Sequence, residues 1–562
     1  MHRPPTAEAE VAAELAVLRP DLVPRYEAAL PGARAAVLTR LWRALTHEPL
    51  PWVAGRSGGP DGVTLRLADG RRLHGPAPDP YATGAYVTQI RLDGVRHDRP
   101  ERLMAGLGVP QGAGFAAELG HSAASMALSR AGRPDGAGAP PPDRATAPLP
   151  DRAGTGLSNQ AGTGLWDPAG TRVSDSAGAG PPDPAQSWPE NGWEWEQRVV
   201  DGHPYHPACR ARPGFSVAEQ LAYGPEHRPV VELVLLPVEE RECLVSGGWP
   251  DELRETGRLL VPVHPWQAEH VLGRAGGDRL SAHPLMSLRT LAVPGGPHVK
   301  TALSARLTSS VRDISTGSVR MSAALSAFGQ VVSERTGGLL QVTRTLGAVT
   351  AHSPDLAALV REPPQRYAGR GEHVVPVAAL AATGLPGSPG WLGGFARLAL
   401  TVGLRLLELG VALEAHGQNL LVVLGPSGTP RRLVYRDLGD IRVSPSRLAR
   451  HGIALPELSL RILTDDVAAL RRKLFGSLVG GALAAAAGSG PVLRAALAEV
   501  AGDLPPGPDL ASLRGEPLPV KALTLMRLSP GRRGDLWTAL PSPFLPPRAA
   551  PVDGRPCAVP GN

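Results

Sequence analysis

The spacing of apolar residues predicts the organisation of the N-terminal part of the chain. Apolar residues recur at helical spacing over residues 8–47 and again over 113–130, which predicts helices there. Between these segments, residues 62–95 alternate short apolar runs with Gly and Asp, a pattern typical of strands and turns. Residues 1–130 are therefore expected to form a helical α+β subdomain, which contains no obvious chemical motif.

The composition changes abruptly between residues 131 and 190. This stretch is rich in Gly and Pro, carries near-repeats such as AGTGLSNQ and AGTGLWDP, and has almost no aliphatic residues. Repeats without a hydrophobic face cannot stack, and such a composition cannot bury a core. The sequence therefore predicts a disordered insertion at 131–190.

Apolar patterns return after the insertion. Residues 191–375 contain short apolar runs separated by Pro and Gly, which predicts a β-rich subdomain. Residues 376–540 begin with a long apolar helix over 391–413 and end in Ala- and Leu-rich helices over 460–500. The Pro-rich tail, 541–562, is expected to be irregular.

Charge and cysteine content argue against several classes of protein. The 562-residue chain has a net charge of +6 and scattered arginines, so we expect no nucleic-acid partner. No apolar run reaches the roughly 18 residues of a membrane span, and we expect no membrane partner. The N-terminus lacks a signal-peptide core, and the three cysteines form neither a disulfide framework nor a CxxC pair. A cytoplasmic protein with reduced thiols is expected.

The use of cationic residues singles out one segment. Of 58 Lys+Arg residues only three are lysines, one of which is Lys300. Lysine is a compact, mobile point charge that can follow a phosphate, whereas arginine is a planar fork. Lys300 lies near Ser304, Thr308 and Arg312, a set of donors suited to phosphate. A second lysine, Lys521, is expected to have a structural role.

A hairpin is predicted around Lys300. Two strand-like segments flank PGGP at 294–297, a strong turn signal. Pairing centred on this turn would place Leu291 opposite Lys300. Alternation along the strands then sets Ser287, Arg289 and Lys300 on one face. That face would carry a hydroxyl, a guanidinium and an ammonium group side by side.

The segment after this hairpin is predicted to begin a helix. Thr308 is placed to cap a helix that starts near Ser309 and presents Arg312 one turn later. Helix N-termini and cations together form anion sites. We therefore expect this segment to bind phosphate.

Two histidines, His203 and His206, lie in the segment DGHPYHPACRAR, and each is followed by Pro. Histidines three residues apart can bind a metal, but the prolines favour an extended loop over a helical ligand pair. Binding of phosphate or carboxylate, with Arg210 and Arg212 just behind, is equally open. A loop without a chemical role is the third alternative.

A second polar cluster follows the long apolar helix. Residues 414–419 (EAHGQN) and 436–440 (RDLGD) flank two strand-like segments joined by GPSGTP. Antiparallel pairing about this turn brings the two motifs together. It sets Gln418 opposite Asp437 and Asn419 opposite Arg436, with His416 beside them. An Asn–Asp pair near a phosphate site is a natural environment for Mg²⁺, which takes oxygen ligands.

These motifs, in this order, resemble the IucA/IucC-type family of NRPS-independent siderophore synthetases. The matching pieces are GHPYHP at 202–207, YGPE at 223–226, VHPWQ at 263–267, SLRT at 287–290, VKTALSARLTSSVR at 299–312, EAHGQN at 414–419, YRDLGD at 435–440 and KALTLMRL at 521–528. Two features depart from the family: Arg210, where lysine is common, and the 131–190 insertion.

The resemblance implies an α+β fold shaped like a cupped hand, with thumb, fingers and palm, antiparallel sheets and a helical C-terminal part. It implies an enzyme that uses ATP and Mg²⁺ to adenylate a carboxylate such as citrate. The acyl-adenylate would then be condensed with an amine or alcohol, with release of AMP and pyrophosphate. A homodimer is the family's habit.

The resemblance also implies a set of site residues. The ATP phosphates and the acid would be held by Ser287, Arg289, Lys300, Thr308 and Arg312, with His203 or His206 adding to the phosphate contacts. Nucleotide, magnesium and substrate would be bound by His416, Gln418, Asn419, Asp437 and Glu414. Catalysis would rest on Lys300, Arg312, His416 and Thr308, and the metal on Glu414, Asn419 and Asp437.

Two other functions remain open on the sequence. HGQN followed by RD resembles a kinase catalytic loop followed by a metal-binding Asp, although no GxGxxG loop precedes it and HGQN offers no Asp base. A protein that binds or reduces a ferric siderophore is the other alternative, although the chain lacks a cysteine cluster for an iron–sulfur centre. A catalytically inactive member of the family is also compatible with the motifs.

Overall fold

The computed structural model describes residues 6–133, without Pro60, and residues 188–545, without Ala275, Thr308, Ser309, Pro389 and Arg533. The insertion predicted at 131–190 falls almost entirely outside these ranges, as does most of the tail at 541–562. Both therefore remain predictions.

The N-terminal subdomain contains the helices and strands that its apolar pattern predicts. Its first helix begins where the Thr6 hydroxyl accepts a hydrogen bond from the backbone N–H of Ala9 at 3.2 Å, an N-cap. The five strands form one antiparallel sheet in sequential order. The elements are α1 (Ala7–Leu18), α2 (Val23–His47), β1 (Val53–Gly59), β2 (Gly62–Leu67), β3 (Arg72–Gly75), β4 (Ile90–Leu92), β5 (Val95–His97), α3 (Pro100–Leu107) and α4 (Gly112–Ala131).

The middle of the chain is rich in strands, as predicted. Its elements are α5 (Gly192–Gln197), α6 (Val217–Tyr223), β6 (Val231–Glu239), β7 (Leu244–Gly247), β8 (Arg254–Glu255), β9 (Arg258–Val263), α7 (Pro265–His270), β10 (Asp278–Pro284), β11 (Thr290–Ala292), β12 (His298–Thr301), β13 (Leu303–Leu307), β14 (Ser310–Arg312), α8 (Thr316–Arg320), α9 (Ser322–Arg335), β15 (Leu340–Val342), β16 (Thr345–Thr350), β17 (Ala357–Arg361) and β18 (His373–Pro376). Nine of these strands form one antiparallel sheet in the order β7-β16-β17-β12-β11-β10-β6-β9-β8. The strand that carries Lys300, β12, lies in the middle of this sheet.

The C-terminal part is mainly helical. Its elements are α10 (Trp391–Leu409), β19 (Val411–Ala412), β20 (Leu420–Leu424), β21 (Pro430–Tyr435), β22 (Arg442–Val443), α11 (Pro445–Arg450), α12 (Val467–Ser477), a π-helix (Leu478–Leu483), α13 (Ala484–Ala487), α14 (Gly490–Val500), α15 (Pro508–Gly515), β23 (Leu518–Lys521), α16 (Leu523–Leu528) and β24 (Trp537–Leu540). A four-stranded sheet, β15-β21-β20-β18, packs on α10. The long apolar helix ends at Leu409, four residues earlier than predicted, because Gly410 adopts a left-handed φ of 89° and closes it.

Short 3₁₀ helices connect many of these elements. They span Pro20–Leu22, Pro225–His227, Glu240–Glu242, Asp251–Leu253, Pro364–Tyr367, Val377–Thr383, Leu385–Gly387 and Leu438–Asp440. Within the described residues, no single helix is both long and apolar enough to cross a membrane. One pair, Val467–Ala487 with Gly490–Val500, meets that criterion only when joined, and it bends by 112°.

Two predictions around Lys300 are wrong in detail. Thr290, not Leu291, pairs with Lys300, so the predicted register is shifted by one residue. The cause is a loop centred on the single residue Gly295, which has a left-handed φ of 66°. The helix predicted to start near Ser309 is also wrong, since Ser310–Arg312 is a strand that pairs with β13. The next helix begins later, at Thr316.

Two large hydrophobic cores stabilise the chain. One is built by α10 and the elements around it and includes side chains from Tyr81 to Leu540, and the other is built mainly by the N-terminal subdomain. The N-terminal core also contains Ala522 and Leu525 from the far end of the chain. The segment that follows β23 therefore packs against the N-terminal subdomain.

Candidate active site

Lys300 and Asp437 form the central ion pair of the site. The Nζ atom of Lys300 lies 2.5 Å from Oδ2 of Asp437, and an Nη atom of Arg361 lies 3.2 Å from Oδ1. Burial, together with Arg361 and Arg289, lowers the pKa of Lys300 to about 7, although Asp437 acts in the opposite direction. Burial would raise the pKa of Asp437, but Lys300 and Arg361 outweigh it and hold that pKa well below its usual range.

The strand pair β20–β21 delivers Asp437 to this position. Leu420 pairs with Tyr435, and the backbone N–H of Arg436 donates to the carbonyl of Asn419 at 3.0 Å, so the predicted register of this hairpin is confirmed. Asp437 itself has a φ of 74°, which is left-handed and uncommon for a residue other than Gly. Such backbone strain is typical of functional sites. Here it turns the chain away from the strand direction.

Glu414 holds the other two lysines of the chain. Its Oε1 atom lies 3.2 Å from Nζ of Lys473 and 2.8 Å from Nζ of Lys521. Lys473 also lies 2.5 Å from Asp440, and Lys521 lies 3.1 Å from Asp535. Burial would raise the pKa of Glu414, but Lys521, His416 and Lys473 lower it to about 2.

Two arginines, Arg289 and Arg312, lie in the same cleft. Arg289 donates through Nη1 to the backbone carbonyls of Arg312 and Asp313, at 2.7 and 2.8 Å, which fixes its guanidinium beside the β14 strand. Burial lowers the pKa of Arg289 to about 10 and also lowers the pKa of Arg312, while the carboxylates of Glu414 and Asp437 oppose the shift of Arg312. Arg312 therefore lies within the electrostatic reach of both polar motifs.

The other residues predicted to bind phosphate beside Lys300 differ in where the structure places them. The Ser287 hydroxyl accepts a hydrogen bond from the N–H of Thr290 at 3.1 Å, so in this structure it stabilises the turn before β11. Arg289 precedes the paired part of that strand, and Leu288 before it has a left-handed φ of 65°, so Arg289 reaches the Lys300 site despite the shifted register. Thr308 lies outside the described residues.

The three predicted site histidines share one local conformation. In His203, His206 and His416, Nδ1 accepts the backbone N–H of the residue two positions later, at 3.2, 3.1 and 3.3 Å. The proton of each neutral ring must then sit on Nε2, which makes Nε2 a hydrogen-bond donor. Burial lowers the pKa of all three: that of His203 lies well below its usual range, that of His206 falls to about 3, and that of His416 is also lowered. Neutral Nε2–H donors suit phosphate or carboxylate oxygens better than they suit a metal.

The histidines connect the two predicted clusters. The rings of His203 and His206 lie 6.5 Å apart, and His416 contributes to the lowered pKa of His203. Arg312 likewise contributes to that of His206. Arg210 and Arg212, expected behind the histidines, are instead buried against Glu226 at 3.2 and 2.8 Å. These two arginines stabilise the fold and do not face the cleft.

Hydrogen bonds hold the backbone of the HGQN loop (residues 416–419) in place. The backbone carbonyl oxygen of Gln418 accepts two hydrogen bonds from the Arg436 guanidinium, at 3.0 and 2.8 Å. Arg436 is buried and lies 2.7 Å from Oε1 of Glu196. The Asn419 amide nitrogen donates to the Glu414 carbonyl at 3.3 Å. Arg436 and Glu196 therefore hold the HGQN loop in place from behind.

A cavity of about 90 Å³ opens beside the Lys300–Asp437 pair. Its lining includes the apolar side chains of Leu325 from α9 and Leu359 from β17, together with the cations Arg289, Lys300 and Arg361. The hydroxyls of Ser322 and Thr343 line it, are buried, and have no hydrogen-bond partner among the described residues. Buried polar groups are normally satisfied, so these two hydroxyls are available to a ligand in the cavity.

The residues predicted for magnesium fit it only in part. Within the described residues, no three His, Cys, Asp or Glu side chains form a metal cluster. Mg²⁺ is usually bound by one or two carboxylates together with substrate phosphates. Both oxygens of Asp437 are paired with cations, Oδ2 with Lys300 and Oδ1 with Arg361, so Asp437 would bind the ion only where these cations turn to the phosphates. Glu414 already binds two lysines through Oε1. The roles of Asp437, Asn419 and Glu414 as metal ligands stay predictions.

Sequence reasoning missed part of this site. Lys473 lies in a helical segment that showed no chemical motif, and Lys521 was assigned a structural role, yet both bind Glu414. The rarity of lysine was the signal that identified Lys300, and the same signal applied to all three lysines. Arg361 had no such signal, because arginine is abundant in this chain.

Comparison with known proteins agrees with this architecture. Residues 192–382 match the sequence model of the IucA / IucC family, and residues 390–536 match that of the ferric iron reductase FhuF-like transporter family. The petrobactin biosynthesis protein AsbB from Bacillus anthracis superimposes with a TM-score of 0.65 at 18% identity, covering 92% of this chain and 97% of that one. ATP-bound aerobactin synthetase IucA from Klebsiella pneumoniae gives 0.63 at 17%, covering 91% and 99%. This chain therefore has the same α+β fold as these two proteins.

The chain is also similar in sequence to curated ligases and synthases. A citryl-spermidine/3,4-dihydroxybenzoyl-citryl-spermidine:spermidine ligase of Bacillus anthracis is 27% identical over 314 residues, which are 44% of this chain and 51% of the relative. Staphyloferrin A synthase of Staphylococcus aureus is 24% identical over 338 residues, 50% of this chain and 57% of the relative. The chain spans about half the length of the curated relatives it matches. These matches make the chain similar to the IucA/IucC family over residues 192–382.

Proposed function

We propose that this protein is an ATP-dependent siderophore synthetase. It would adenylate a carboxylate, citrate or a related polycarboxylic acid, and condense it with an amine or alcohol, releasing AMP and pyrophosphate. The observation that carries the proposal is the convergence of all three lysines, Arg289 and Arg312 on Asp437 and Glu414 in one cleft. The names of the relatives, which include citrate ligases, support the same chemistry.

The cations around Asp437 suit the phosphates of ATP. Lys300, Arg289 and Arg361 line the cavity, and preorganised charge of this kind stabilises the negative charge of an adenylation transition state. The apolar walls of the cavity and the hydroxyls of Ser322 and Thr343 suit the nucleoside end of ATP. When bound, Mg²⁺ would supply further charge neutralisation at the phosphates, held by Asp437 and Asn419.

The groups around Glu414 suit the acid substrate. Arg312, Lys521 and the Nε2–H groups of His206 and His416 are donors for carboxylate oxygens. A carboxylate oxygen held there would attack the α-phosphorus, and pyrophosphate would leave. The amine nitrogen or alcohol oxygen would then attack the acyl carbon, and AMP would leave. The enzyme's contribution is positioning and charge, so no nucleophilic side chain is required.

The test is the nucleotide product. Purified protein is incubated with ATP, Mg²⁺, a panel of carboxylic acids and hydroxylamine as a surrogate nucleophile. We expect AMP and pyrophosphate that depend on the acid and disappear in Lys300→Ala. Formation of ADP and phosphate would overturn the proposal in favour of a kinase. The proposal includes a cytoplasmic location, where ATP is available, and a homodimer, which the oligomeric state in solution tests.

A second candidate function rests on the FhuF-like match over residues 390–536. An iron–sulfur reductase needs Cys thiolates as cluster ligands, and the cysteines of this chain lie at 209, 243 and 557, all outside that region. Anaerobic reconstitution with iron and sulfide, followed by electron paramagnetic resonance of the reduced protein, tests this candidate. A cluster signal would support it.

A further inference from the structure

The N-terminal subdomain carries no chemical motif, yet it contacts the segment that bears Lys521. Glu48 is 2% exposed, and its two carboxylate oxygens accept hydrogen bonds from the successive backbone N–H groups of Thr524 and Leu525, at 3.1 and 2.7 Å. Thr524 and Leu525 lie three and four residues after Lys521. The carboxylate therefore holds the chain immediately beyond the lysine.

Further contacts tie the same segment to the N-terminal subdomain. Glu118 of α4 forms a two-point ion pair with Arg527, with one contact at 2.9 Å. The Thr538 hydroxyl, on the strand paired with β23, donates to the carbonyl of His47 at 2.5 Å. Ala522 and Leu525 are buried in the N-terminal core, whereas Leu518 and Val520 are buried in the core around α10. Lys521 thus lies where the chain passes from one core to the other.

The position of Glu48 in the fold disfavours an ionised carboxylate that has no hydrogen-bond donors. It follows the last residue of α2, where the helix dipole disfavours negative charge, and burial of an unpaired charge is costly. Its hydrogen bonds to Thr524 and Leu525 offset part of these costs. A buried carboxylate at such a position fits a role in holding a partner segment.

We propose that Glu48 is a positioning residue of the cleft, fixing the backbone after Lys521 so that Nζ of this lysine meets Glu414. Glu118 supports the same segment through Arg527. The N-terminal subdomain is then part of the catalytic apparatus, since it sets the place of one cation in the acid-binding subsite. This inference rests on the proposed function only for its effect on catalysis. The position of Lys521 can be measured without it.

The test exploits the presence of only three lysines in the chain. The full-length protein is labelled with a low concentration of an amine-reactive acylating reagent, and the rate at each lysine is followed by mass spectrometry. The side chains of Lys300, Lys473 and Lys521 are 11%, 3% and 27% exposed. In Glu48→Gln, one of the two N–H groups faces an amide NH₂ instead of an acceptor. We expect Lys521 to label at least threefold faster, while Lys300 and Lys473 keep their rates.

Glu8→Gln is the matched control. Glu8 is also a buried carboxylate of the N-terminal subdomain, but it pairs with Arg34 and Arg99 inside that subdomain. Its variant should lower the melting temperature without changing the labelling of Lys521. If Glu48→Gln and Glu8→Gln give the same labelling pattern, or if all three lysines react faster in Glu48→Gln, the proposal is overturned.

Kinetics provide the second readout. With the acid identified by AMP formation, Glu48→Gln should raise KM for the acid about tenfold and leave KM for ATP unchanged, because Lys521 lies at the acid end of the cleft. Glu48→Asp, which keeps the charge, should recover part of the loss. Equal increases in both KM values would contradict a specific effect on Lys521. Absence of turnover in the wild-type protein would refute the proposed function, and the labelling result would still decide the role of Glu48.

Discussion

The Nζ atom of Lys300 lies 2.5 Å from Oδ2 of Asp437, although 137 residues separate them in the chain. This contact joins the middle of the nine-stranded sheet to the loop after β21. It brings the phosphate-type cations of one motif to the carboxylate of the other. Two elements that are remote in sequence thereby form one cleft.

Removal of Lys300 should abolish turnover. We expect Lys300→Met to lower AMP formation by a factor on the order of 10² or more, because preorganised charge at the phosphates is lost. Lys300→Arg should retain part of the activity through its charge, but less than half, since a planar guanidinium cannot replace a point charge at this distance. Circular dichroism checks that both variants fold. Full activity in Lys300→Met would contradict this assignment.

The effects of substituting Lys473 and Lys521, which both contact Glu414, should not be additive. Lys473→Met and Lys521→Met are each expected to raise KM for the acid, and their combined effect should be smaller than the product of the single effects. The reason is that both lysines contact Oε1 of Glu414, and residues that share a partner are not additive. A double-mutant cycle on kcat/KM measures this. Strict additivity would show that the two lysines bind different parts of the substrate.

A larger side chain in the cavity beside Lys300 should weaken the binding of ATP but not that of the acid. Ser322→Leu is expected to raise KM for ATP about tenfold with little change in the KM for the acid, because the added side chain occupies the space proposed for the nucleoside. Inorganic tripolyphosphate, which has no nucleoside, serves as the control in an equilibrium binding assay and should bind both proteins equally. A weaker affinity for tripolyphosphate in the variant would place phosphate, not nucleoside, in the cavity.

Loss of the Asp437 charge should alter the magnesium requirement. Asp437→Asn is expected to raise the Mg²⁺ concentration for half-maximal AMP formation about tenfold, since a carboxylate is replaced by a neutral oxygen ligand. Titration of Mg²⁺ at fixed ATP measures this shift. Glu414→Gln should not shift the midpoint, because Glu414 and the two lysines it contacts lie in the part of the cleft proposed for the acid. A shift in Glu414→Gln would support the original assignment of Glu414 as a ligand.

Stability should depend on pH through Glu48. Burial raises the pKa of Glu48 to about 7, although the N–H groups of Leu525 and Thr524 and the charge of Arg43 oppose the shift. Between an unfolded value near 4.5 and this folded value, the native state binds more protons. The contribution of Glu48 to stability therefore falls as pH rises through that window, by at most about 3 kcal/mol.

The neighbouring His47 changes stability in the opposite direction. Burial lowers the pKa of His47 to about 4, so its contribution rises with pH between about 4 and 6.5. The difference between wild-type and Glu48→Gln unfolding free energies, measured by urea denaturation from pH 5 to 8, isolates Glu48. We expect this difference to change in favour of the variant as pH rises. A difference that is constant with pH would contradict the raised pKa.

Local sequence patterns were sufficient for much of the fold. Helical spacing predicted α1, α2, α4 and α10, and alternation with turn residues predicted the hairpin that sets Asn419 opposite Arg436. The rarity of lysine identified Lys300. These features depend on side-chain period and turn chemistry within a short stretch of chain, which is why they could be derived without a structure.

Other features depended on contacts between distant segments. The register at Lys300 differed by one residue because a single glycine, Gly295, forms the centre of the loop, and the sequence PGGP allows more than one centre. The pairing of Glu414 with Lys473 and Lys521 joins three distant segments. Lys473 follows Glu414 by 59 residues, and Lys521 follows Lys473 by 48. No local pattern predicts such meetings.

The sequence by itself determined the order of helices and strands, the family resemblance and most of the residues of the cleft, because motif residues and periodicity are local properties. Only the tertiary structure decided which charges pair, which histidine nitrogen donates, and that Glu48 holds the segment of Lys521. These outcomes depend on burial and on distances across the fold. Burial and distance are both set by the packing of segments that are distant in sequence into the two hydrophobic cores.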